Sequence, residues 1–151
     1  MIAVVQRVAA ARVTVGDEVV GEINRGLCVL ASVVTDDADA DLRWMLDKLL
    51  TLRVFPDAAG EKAFDRDVAQ IGGGLLLVSN FTVAAHCRRG RRPSFSPAMP
   101  PAQAEATFAR FVDLARAAHP HVAAGRFAAD MRVTIENDGP ATFVLDSKSE
   151  D

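Results

Sequence analysis

The first 34 residues carry the two-residue period of β-strands. Residues 2–7 and 12–15 alternate between two faces, and Gly16 and Asp17 mark a turn before a third short piece at residues 18–20. Residues 27–34 are almost continuously apolar, which is typical of a strand covered on both faces. The chain therefore begins with several strands, of which the last one is buried.

Two later segments have the helical period instead. Apolar residues at spacings of three and four predict an amphipathic helix over residues 37–52, capped by residues 35–37 and with acidic residues in its first turn. A second helix is predicted from the prolines at 100 and 101 to about His119. The predicted buried faces are formed by Leu42, Met45, Leu46 and Leu49, and by Ala104, Phe108, Phe111 and Ala115.

Shorter apolar runs predict further strands at residues 53–55, 75–79, 131–136 and 142–145. The last two are separated by a turn at residues 137–140, and residues 84–101 form a proline-rich loop without a period. The order of elements predicts an α/β fold of layered sheets with two covering helices. We expect one domain over residues 1–151, with a frayed tail at residues 146–151.

Composition narrows the class of protein. Half of the residues are hydrophobic, as in a globular domain, but no apolar run reaches the roughly 18 residues of a membrane span. The first residues lack the basic leader of a secretory signal. Cys28 and Cys87 are too few for a disulfide framework. These features predict a cytoplasmic protein without a membrane partner.

Charge gives two opposing indications. The net charge of −3 argues against a nucleic-acid partner, because phosphates are bound by cations. However, Arg88, Arg89, Arg91 and Arg92 lie within five residues. Their guanidinium groups repel one another unless an anion meets them. A phosphate or RNA contact and an ordinary solvated loop are both open interpretations of this segment.

Side-chain chemistry at familiar spacings is scarce. His86 and Cys87 resemble the start of a phosphatase signature, but Pro93 stands where the signature requires its arginine. The three histidines do not lie at metal-ligand spacing, so we expect no metal. Neither a serine–histidine–aspartate triad nor a paired-carboxylate site is recognisable. No cofactor is predicted.

Two polar segments remain as candidates. Residues 79–83 end a buried strand with the hydroxyls of Ser79 and Thr82, at a place where α/β proteins often bind ligands. Local bonds between hydroxyls and the backbone would explain them equally well. Residues 137–142 hold a Gly-Pro step that is either a cis bond or an ordinary hairpin turn. Neither segment reveals a function alone.

Together, these segments resemble the D-aminoacyl-tRNA deacylase family. Residues 79–83 match the family's Ser-Gln-Phe-Thr-Leu motif, and residues 137–142 match Asn-x-Gly-Pro-Val-Thr. The segments that carry the resemblance are residues 1–8, 53–55, 79–83, 89–95, 125–131 and 137–142. They span nearly the whole chain, and their combination is specific although each piece is weak.

The resemblance implies a barrel-like α/β fold and a homodimer with its active sites at the subunit interface. Family members hydrolyse the ester that joins a D-amino acid or glycine to the 3′ adenosine of tRNA. They use main-chain groups and the 2′-hydroxyl of the tRNA, without a cofactor. This chemistry would explain the absence of a recognisable triad.

The resemblance also implies roles for individual residues. The Gly139-Pro140 peptide would be cis, would reach into the partner's pocket and would hold the α-amino group through its carbonyls. Arg7 would brace that segment, and main-chain amides on the opposite wall would stabilise the oxyanion. The implied catalytic residues are Ser79, Phe81 and Thr82, and the implied substrate-binding residues are Arg7, Asn80, Asn137, Gly139 and Pro140. The tRNA itself would meet Arg88, Arg89, Arg91 and Arg92.

Two departures from the family and two alternative functions stay open. Val83 and Ala141 replace the family's leucine and valine, which trims the apolar packing beside the pocket. Asn80 replaces the family's glutamine and shortens that side chain by one methylene. Thr82 lacks an adjacent base, so we expect it to position the substrate rather than to attack it. A noncatalytic RNA-binding dimer of the same fold is one alternative. A small-molecule hydrolase that uses Cys87 is the other.

Overall fold

A curled six-stranded sheet organises the molecule, and two α-helices cover one side of it. The computed structural model describes residues 1–149. The strands are β1 (Ile2–Val15), β2 (Glu18–Ile23), β3 (Gly26–Ser32), β4 (Gly74–Ser79), β5 (Val122–Ala124) and β6 (Arg132–Asp146). The helices are α1 (Asp39–Thr51) and α2 (Pro101–Ala118), and a single 3-10 turn (Phe81–Ala84) follows β4.

Strand β1 is the centre of the sheet. Its first half pairs with β3 and its second half with β2, while β6 runs along its other edge, all antiparallel. Strands β3, β4 and β5 continue the sheet in parallel. One long strand shared among three neighbours curls the sheet toward a barrel. The predicted α/β class, with a barrel-like sheet and two helices, is confirmed.

Two hydrophobic cores lie on the two sides of β3 and β4. Leu27, Val29 and Leu77 point toward the helices, whereas Cys28 and Leu76 point into the curl of the sheet. All five are buried. The continuous apolar run of residues 27–34 is explained by this arrangement, because neither face of β3 meets solvent. The polar end of β4 therefore emerges from a rigid, fully packed strand.

The two predicted helices are confirmed, but the start of α1 is not where the sequence placed it. Its four predicted core residues are buried, and so are Phe108, Phe111 and Ala115 of α2. Ala38 is the residue that precedes α1, and its N–H donates to the Asp41 carboxylate at 2.9 Å. Asp37 instead accepts from the Val34 N–H at 2.7 Å. The predicted cap at residues 35–37 is therefore wrong.

The largest correction concerns residues 131–145. The sequence predicted two strands joined by a hairpin, but β6 continues through the Gly-Pro step and pairs with β1 on both sides of it. Asn137 lies opposite Val8 and Thr142 lies opposite Gln6, so the residues between them bulge out of the strand. A turn signal in the sequence thus marks a bulge, because the chain resumes its direction after it.

Three smaller points concern residues 53–55, the strand β5 and the start of the tail. Residues 53–55 do not form a strand, because only Phe55 pairs, in an isolated bridge to Arg66. The three-residue strand β5 has too short a pattern to be predicted. The tail is held at its start, since the Ser147 N–H donates to the Met1 carbonyl at 2.9 Å and its hydroxyl to Asp41 at 2.7 Å. The expected fraying of residues 146–151 stays a prediction, and residues 150–151 lie outside the described part.

Candidate active site

A cleft of about 730 Å³ opens where β3 and β4 end. Its walls are formed by the 3-10 turn, the loop before α2, the first turn of α2 and residues 127–133. The lining is mostly apolar, and Asp130 is the ionisable residue in it. The remaining lining residues are Leu30, Val33, Val78, Ser79, Asn80, Phe81, Phe95, Ala98, Met99, Pro100, Pro101, Ala104, Phe127, Ala128, Ala129, Met131 and Val133.

The backbone after β4 presents one free donor at this cleft. The Asn80 N–H donates to the Ala31 carbonyl at 2.8 Å, and the Val83 N–H donates to the Asn80 carbonyl at 3.2 Å. The Thr82 N–H is taken by the Asn80 side-chain oxygen at 3.2 Å. Among the described residues, the Phe81 N–H has no acceptor. It is therefore available to a ligand oxygen.

Asn80 serves the turn itself. Besides the Thr82 N–H, its Oδ1 accepts the Thr82 hydroxyl, with 2.5 Å between the oxygens. The hydroxyl proton of Thr82 is thus directed at a carboxamide oxygen, which is not a base strong enough to activate it. Asn80 lines the cleft, but its side-chain carbonyl oxygen is engaged within the turn. Its predicted contact with a substrate stays a prediction. A shorter side chain than glutamine suits this local bond.

The Gly-Pro segment forms a separate exposed loop on β6. The Gly139-Pro140 peptide is cis, and Gly139 has a φ of 137° that disfavours other residues. A Cβ at Gly139 would lie 2.8 Å from Nη2 of Arg7. Arg7 is buried and donates from Nε to the Asp138 carbonyl at 2.9 Å and from Nη1 to the Val54 carbonyl at 2.8 Å. The guanidinium therefore fixes the loop from inside.

Asn137 closes the base of the same loop. Its side-chain amide donates to the Arg7 carbonyl at 3.2 Å and to the Ala141 carbonyl at 3.0 Å. These bonds join the two ends of the bulge to each other and to β1. Both amide hydrogens are then used inside the protein, so a direct substrate contact remains a prediction only for the Asn137 oxygen.

The predicted site residues thus fall into two groups. Ser79, Asn80 and Phe81 line the cleft, and Thr82 adjoins it. The second group consists of Arg7, Asn137, Gly139 and Pro140, none of which lines the cleft. Within one chain, the structure does not bring the groups together.

The four predicted tRNA-binding arginines project from a two-sided arm at residues 86–94. His86 and Ser94 exchange backbone hydrogen bonds of 2.8 and 3.0 Å at its base, and Gly90 turns the tip with a φ of 74°. The arginines at 88, 89, 91 and 92 are all exposed, and within residues 1–149 none forms an ion pair. The arm therefore presents uncompensated positive charge.

Several cleft residues were not singled out by the sequence. Phe95 and Met99 come from the loop without a period, where no pattern indicates which side chains turn inward. Ala128 has a φ of 58°, which costs a residue other than glycine roughly 1 kcal/mol or more and is often found at functional sites. The only signal for this region was the family-like segment at residues 125–131.

The two cysteines and the possible metal ligands do not form a recognisable site in the described part of the chain. Burial raises the pKa of the Cys28 thiol to about 12, so it stays protonated. Cys87 is exposed, does not line the cleft, and its sulfur has only the Ala85 carbonyl nearby, at 4.0 Å. Across residues 1–149, no three histidine, cysteine or acidic side chains come close enough to hold a metal ion.

Neither helix could serve as a membrane span. In the described part of the chain, no helix combines the length and the apolar character that crossing a bilayer requires.

Comparison with known proteins identifies the family. A family model described as D-Tyr-tRNA(Tyr) deacylase matches residues 4–146. The chain belongs to this deacylase family. The match includes both groups of predicted site residues, and it ends at the last residue of β6.

Curated relatives of the deacylase family are similar over their whole length. The D-aminoacyl-tRNA deacylase of Pseudomonas paraeruginosa (strain DSM 24068 / PA7) is 58% identical over 97% of this chain and 99% of its own. That of Geobacter metallireducens is 48% identical over 97% of this chain and 96% of its own. The predicted resemblance is confirmed.

Solved structures agree with the fold. A structure titled c-Myc DNA Unwinding Element Binding Protein has a TM-score of 0.94 and 40% identity, and covers 99% of this chain and 100% of its own. Another, titled a probable eukaryotic D-amino acid tRNA deacylase, has a TM-score of 0.80 at 18% identity, over 95% and 98% of the two chains. The latter shows the fold alone.

Proposed function

We propose that this protein hydrolyses the ester bond of D-aminoacyl-tRNA, and of tRNA mischarged with glycine. The observation that carries the proposal is the Phe81 N–H, which lacks an acceptor within residues 1–149 and stands at the cleft. Ester hydrolysis passes through a tetrahedral oxyanion, and a fixed backbone donor stabilises that charge. The family and the names of its relatives supply the substrate class.

The reaction is attack of water on the ester carbonyl carbon. The bond to the 3′ oxygen of the terminal adenosine then breaks, and that oxygen leaves with a proton. Phe81 contributes its N–H to the oxyanion, Ser79 lines the wall beside it, and Thr82 adjoins that wall. Proton transfer is assigned to the 2′-hydroxyl of the tRNA, since the Thr82 hydroxyl is bound to Asn80. Neither a metal nor a cofactor has a step in this scheme.

Selection of the D configuration requires the second group of residues, and therefore a second subunit. In a two-fold dimer, a loop exposed on one copy can enter the cleft of the other and do so twice by symmetry. The carbonyls of Gly139 and Pro140 of the partner subunit would bind the α-amino group and leave no space for an L side chain. A wall of backbone excludes that side chain more firmly than a rotatable group could.

Substrate approach is assigned to the arm at residues 86–94. Its four exposed arginines, at 88, 89, 91 and 92, can meet phosphates of the acceptor end. The chain's net charge of −3 does not prevent this, because attraction depends on where the charge lies. A tRNA substrate supports a cytoplasmic location, because tRNAs are charged in the cytoplasm.

The test is hydrolysis of labelled D-aminoacyl-tRNA, Gly-tRNA and L-aminoacyl-tRNA by the purified protein. We expect release of the D-amino acid and of glycine, with the L substrate largely spared. Absence of turnover on several D-aminoacyl-tRNAs would overturn the proposed activity. Equal turnover of D and L substrates would overturn the role of Gly139 and Pro140.

Mixed dimers test whether the site is shared. Gly139→Ala damages the loop, and Ala104→Trp fills the cleft from α2. In a dimer of one copy of each variant, one of the two shared sites keeps both intact parts. We expect each variant alone to be weakly active and co-refolded mixtures to regain part of the wild-type rate. No recovery in verified mixed dimers would contradict a shared site.

One alternative function has a specific observation in its favour. The solved relative at 40% identity is titled a DNA-unwinding-element binding protein, and the arginine arm suits any nucleic acid. A noncatalytic nucleic-acid-binding dimer would bind tRNA without hydrolysing it in the assay above. The Cys87 hydrolase has no such support, and unchanged activity of Cys87→Ala would eliminate it.

A further inference from the structure

Two phenylalanine rings stand exposed at the mouth of the cleft and touch each other. Phe81 is 57% exposed and Phe95 is 40% exposed, with ring centroids 4.9 Å apart and planes at 76°. Phe108 and Phe111, by contrast, are buried in the core. Adjoining exposed aromatic side chains are typical of a binding surface rather than of a solvated loop.

The geometry of the pair leaves flat surfaces open. In an edge-to-face contact, the edge of one ring meets one face of the other. The remaining faces are not covered by the partner ring, which agrees with the large exposed fractions of both side chains. Such faces accept another flat, apolar group by stacking.

The arginine arm is attached directly to this ring pair. Phe95 follows Ser94, and Ser94 pairs with His86 at the base of the arm. Phe81 precedes the other end of that base in the sequence, and its ring meets that of Phe95. The loop that carries the four exposed guanidinium groups thus leads directly into Phe95.

Cations beside open aromatic faces are the two components of a site for unpaired nucleotides. The cations neutralise phosphates, while a base stacks on a ring irrespective of its hydrogen-bonding edge. An apolar peptide would use the rings but would leave the arginines unpaired. A free anion would use the arginines but would leave the rings exposed.

We infer that Phe81 and Phe95 form a stacking platform for an unpaired nucleobase of the RNA, while the arginine arm holds the neighbouring phosphates. The inference rests on the proposed function for the choice of an acceptor end as the occupant. It assigns the Phe81 side chain a role apart from that of its N–H, because the ring and the amide are separate groups.

The experiment measures binding rather than hydrolysis. The probe is an uncharged, 5′-labelled RNA minihelix with a single-stranded 3′ end, compared with the same RNA carrying abasic residues at that end. Fluorescence anisotropy should give about tenfold tighter binding of the base-bearing RNA by the wild-type protein. Phe95→Leu should abolish this difference, and Phe95→Tyr, which keeps a flat ring, should retain it.

Two further variants separate the components. Phe81→Leu keeps the backbone N–H and should also reduce the preference for the base-bearing RNA. Replacing the four arginines by glutamine should weaken the binding of both RNAs to the same extent and lower the dependence of affinity on salt. A Phe95→Leu protein that loses affinity for both RNAs equally, or for neither, would overturn the platform.

Failure of this inference is distinguishable from failure of the proposed function. Base-dependent binding without hydrolysis would overturn the activity and keep the platform. Hydrolysis without base-dependent binding would overturn the platform alone. If light scattering showed that Phe95→Leu turns a dimer into a monomer while the base preference persists, the rings would belong to an interface between copies, and the platform would be wrong.

Discussion

The two groups of candidate site residues are built by opposite means. At the cleft, a side chain holds a turn locally, because Asn80 bonds to Thr82 two residues away. At the Gly-Pro loop, a buried guanidinium from a distant strand holds the backbone, because Arg7 donates to the carbonyl of Asp138. Both arrangements leave backbone groups for the ligand and use side chains as supports.

This shared use of backbone groups would explain why the candidate site residues include no familiar catalytic triad. If backbone amides and carbonyls contact the substrate, the residues that matter are those that fix the backbone. Their removal should then reduce activity through geometry rather than through lost chemistry. A distant support should be more costly to lose than a local one, because it holds several segments at once.

Removal of Arg7 should have the largest effect. Arg7→Met deletes the donors to the carbonyls of Asp138 and Val54, so both carbonyls lose these hydrogen bonds in a partly buried region. We expect roughly 100-fold slower hydrolysis of D-aminoacyl-tRNA and a loss of about 2–4 kcal/mol in the free energy of unfolding. Arg12→Met is the matched control on the same strand, where the side chain is exposed. Equal effects of both variants would contradict the support role.

A methyl group at Gly139 should act more narrowly. Gly139→Ala meets a φ of 137° and an Arg7 nitrogen 2.8 Å away, so the loop must shift. We expect at least about tenfold slower hydrolysis with a stability loss of about 1–3 kcal/mol. Gly16→Ala is the control. The φ of Gly16 is also positive, at 56°, but no atom lies within 4 Å of the added Cβ. That variant should lose stability without losing activity, as kinetics and urea unfolding together would reveal.

Loss of the local support should be milder. Asn80→Ala removes the acceptor of the Thr82 N–H, at a cost of about 1 kcal/mol or less to the turn. We expect a several-fold lower kcat, together with faster amide hydrogen exchange at Thr82. Asn80→Gln should behave like Asn80→Ala, because the longer arm does not close the same turn.

A double-mutant cycle checks the partner of Asn80. Thr82→Val removes the hydroxyl that donates to the Asn80 oxygen. If the two residues act as one support, the effects of Asn80→Ala and Thr82→Val on kcat should not add. Additive losses would indicate that Asn80 contacts the substrate independently, as the sequence first suggested.

The smallest effect should come from outside both groups. The Arg110 guanidinium on α2 hydrogen-bonds to Asp39 on α1 and lowers the pKa of that carboxyl. Its contribution to stability is then present above the ordinary carboxyl pKa of about 3.9 and is lost as pH falls through the folded value. Asp39→Asn should slightly lower the urea midpoint at pH 7 but not at pH 2. Asp17→Asn, in the β1–β2 turn, should change neither.

The sequence predicted those elements of the molecule whose hydrophobic pattern extends over many residues. The continuous apolar run of β3 predicts burial on both faces, and the spacing of apolar residues in α1 predicts one buried face. Both predictions are confirmed. The cap of α1 was missed because Asp37, a good capping residue, is used by Val34 instead. Such competition between acceptors is settled by tertiary contacts, which a local pattern does not contain.

The site was predictable as motifs but not as an arrangement. Residues 79–83 and 137–142 stood out in the sequence, yet nothing in their spacing indicates that they lie apart in one chain. The family resemblance assigned Asn137 to substrate binding, and no sequence pattern indicated that its side-chain amide would donate to the backbone carbonyls of Arg7 and Ala141. Phe95 belongs to the family-like segment at residues 89–95, but a loop without a period gives no indication that its ring turns toward Phe81.

The bulge in β6 has a consequence beyond binding. Among residues 1–149, β6 pairs only with β1, so its outer edge is open along 15 residues. A long open edge invites pairing with foreign strands and aggregation. The looped-out residues between Asn137 and Thr142 interrupt that edge near its middle, and Arg132 and Glu136 add exposed charge. The same irregularity that presents Gly139 and Pro140 thus also hinders the edge of β6 from pairing with other strands.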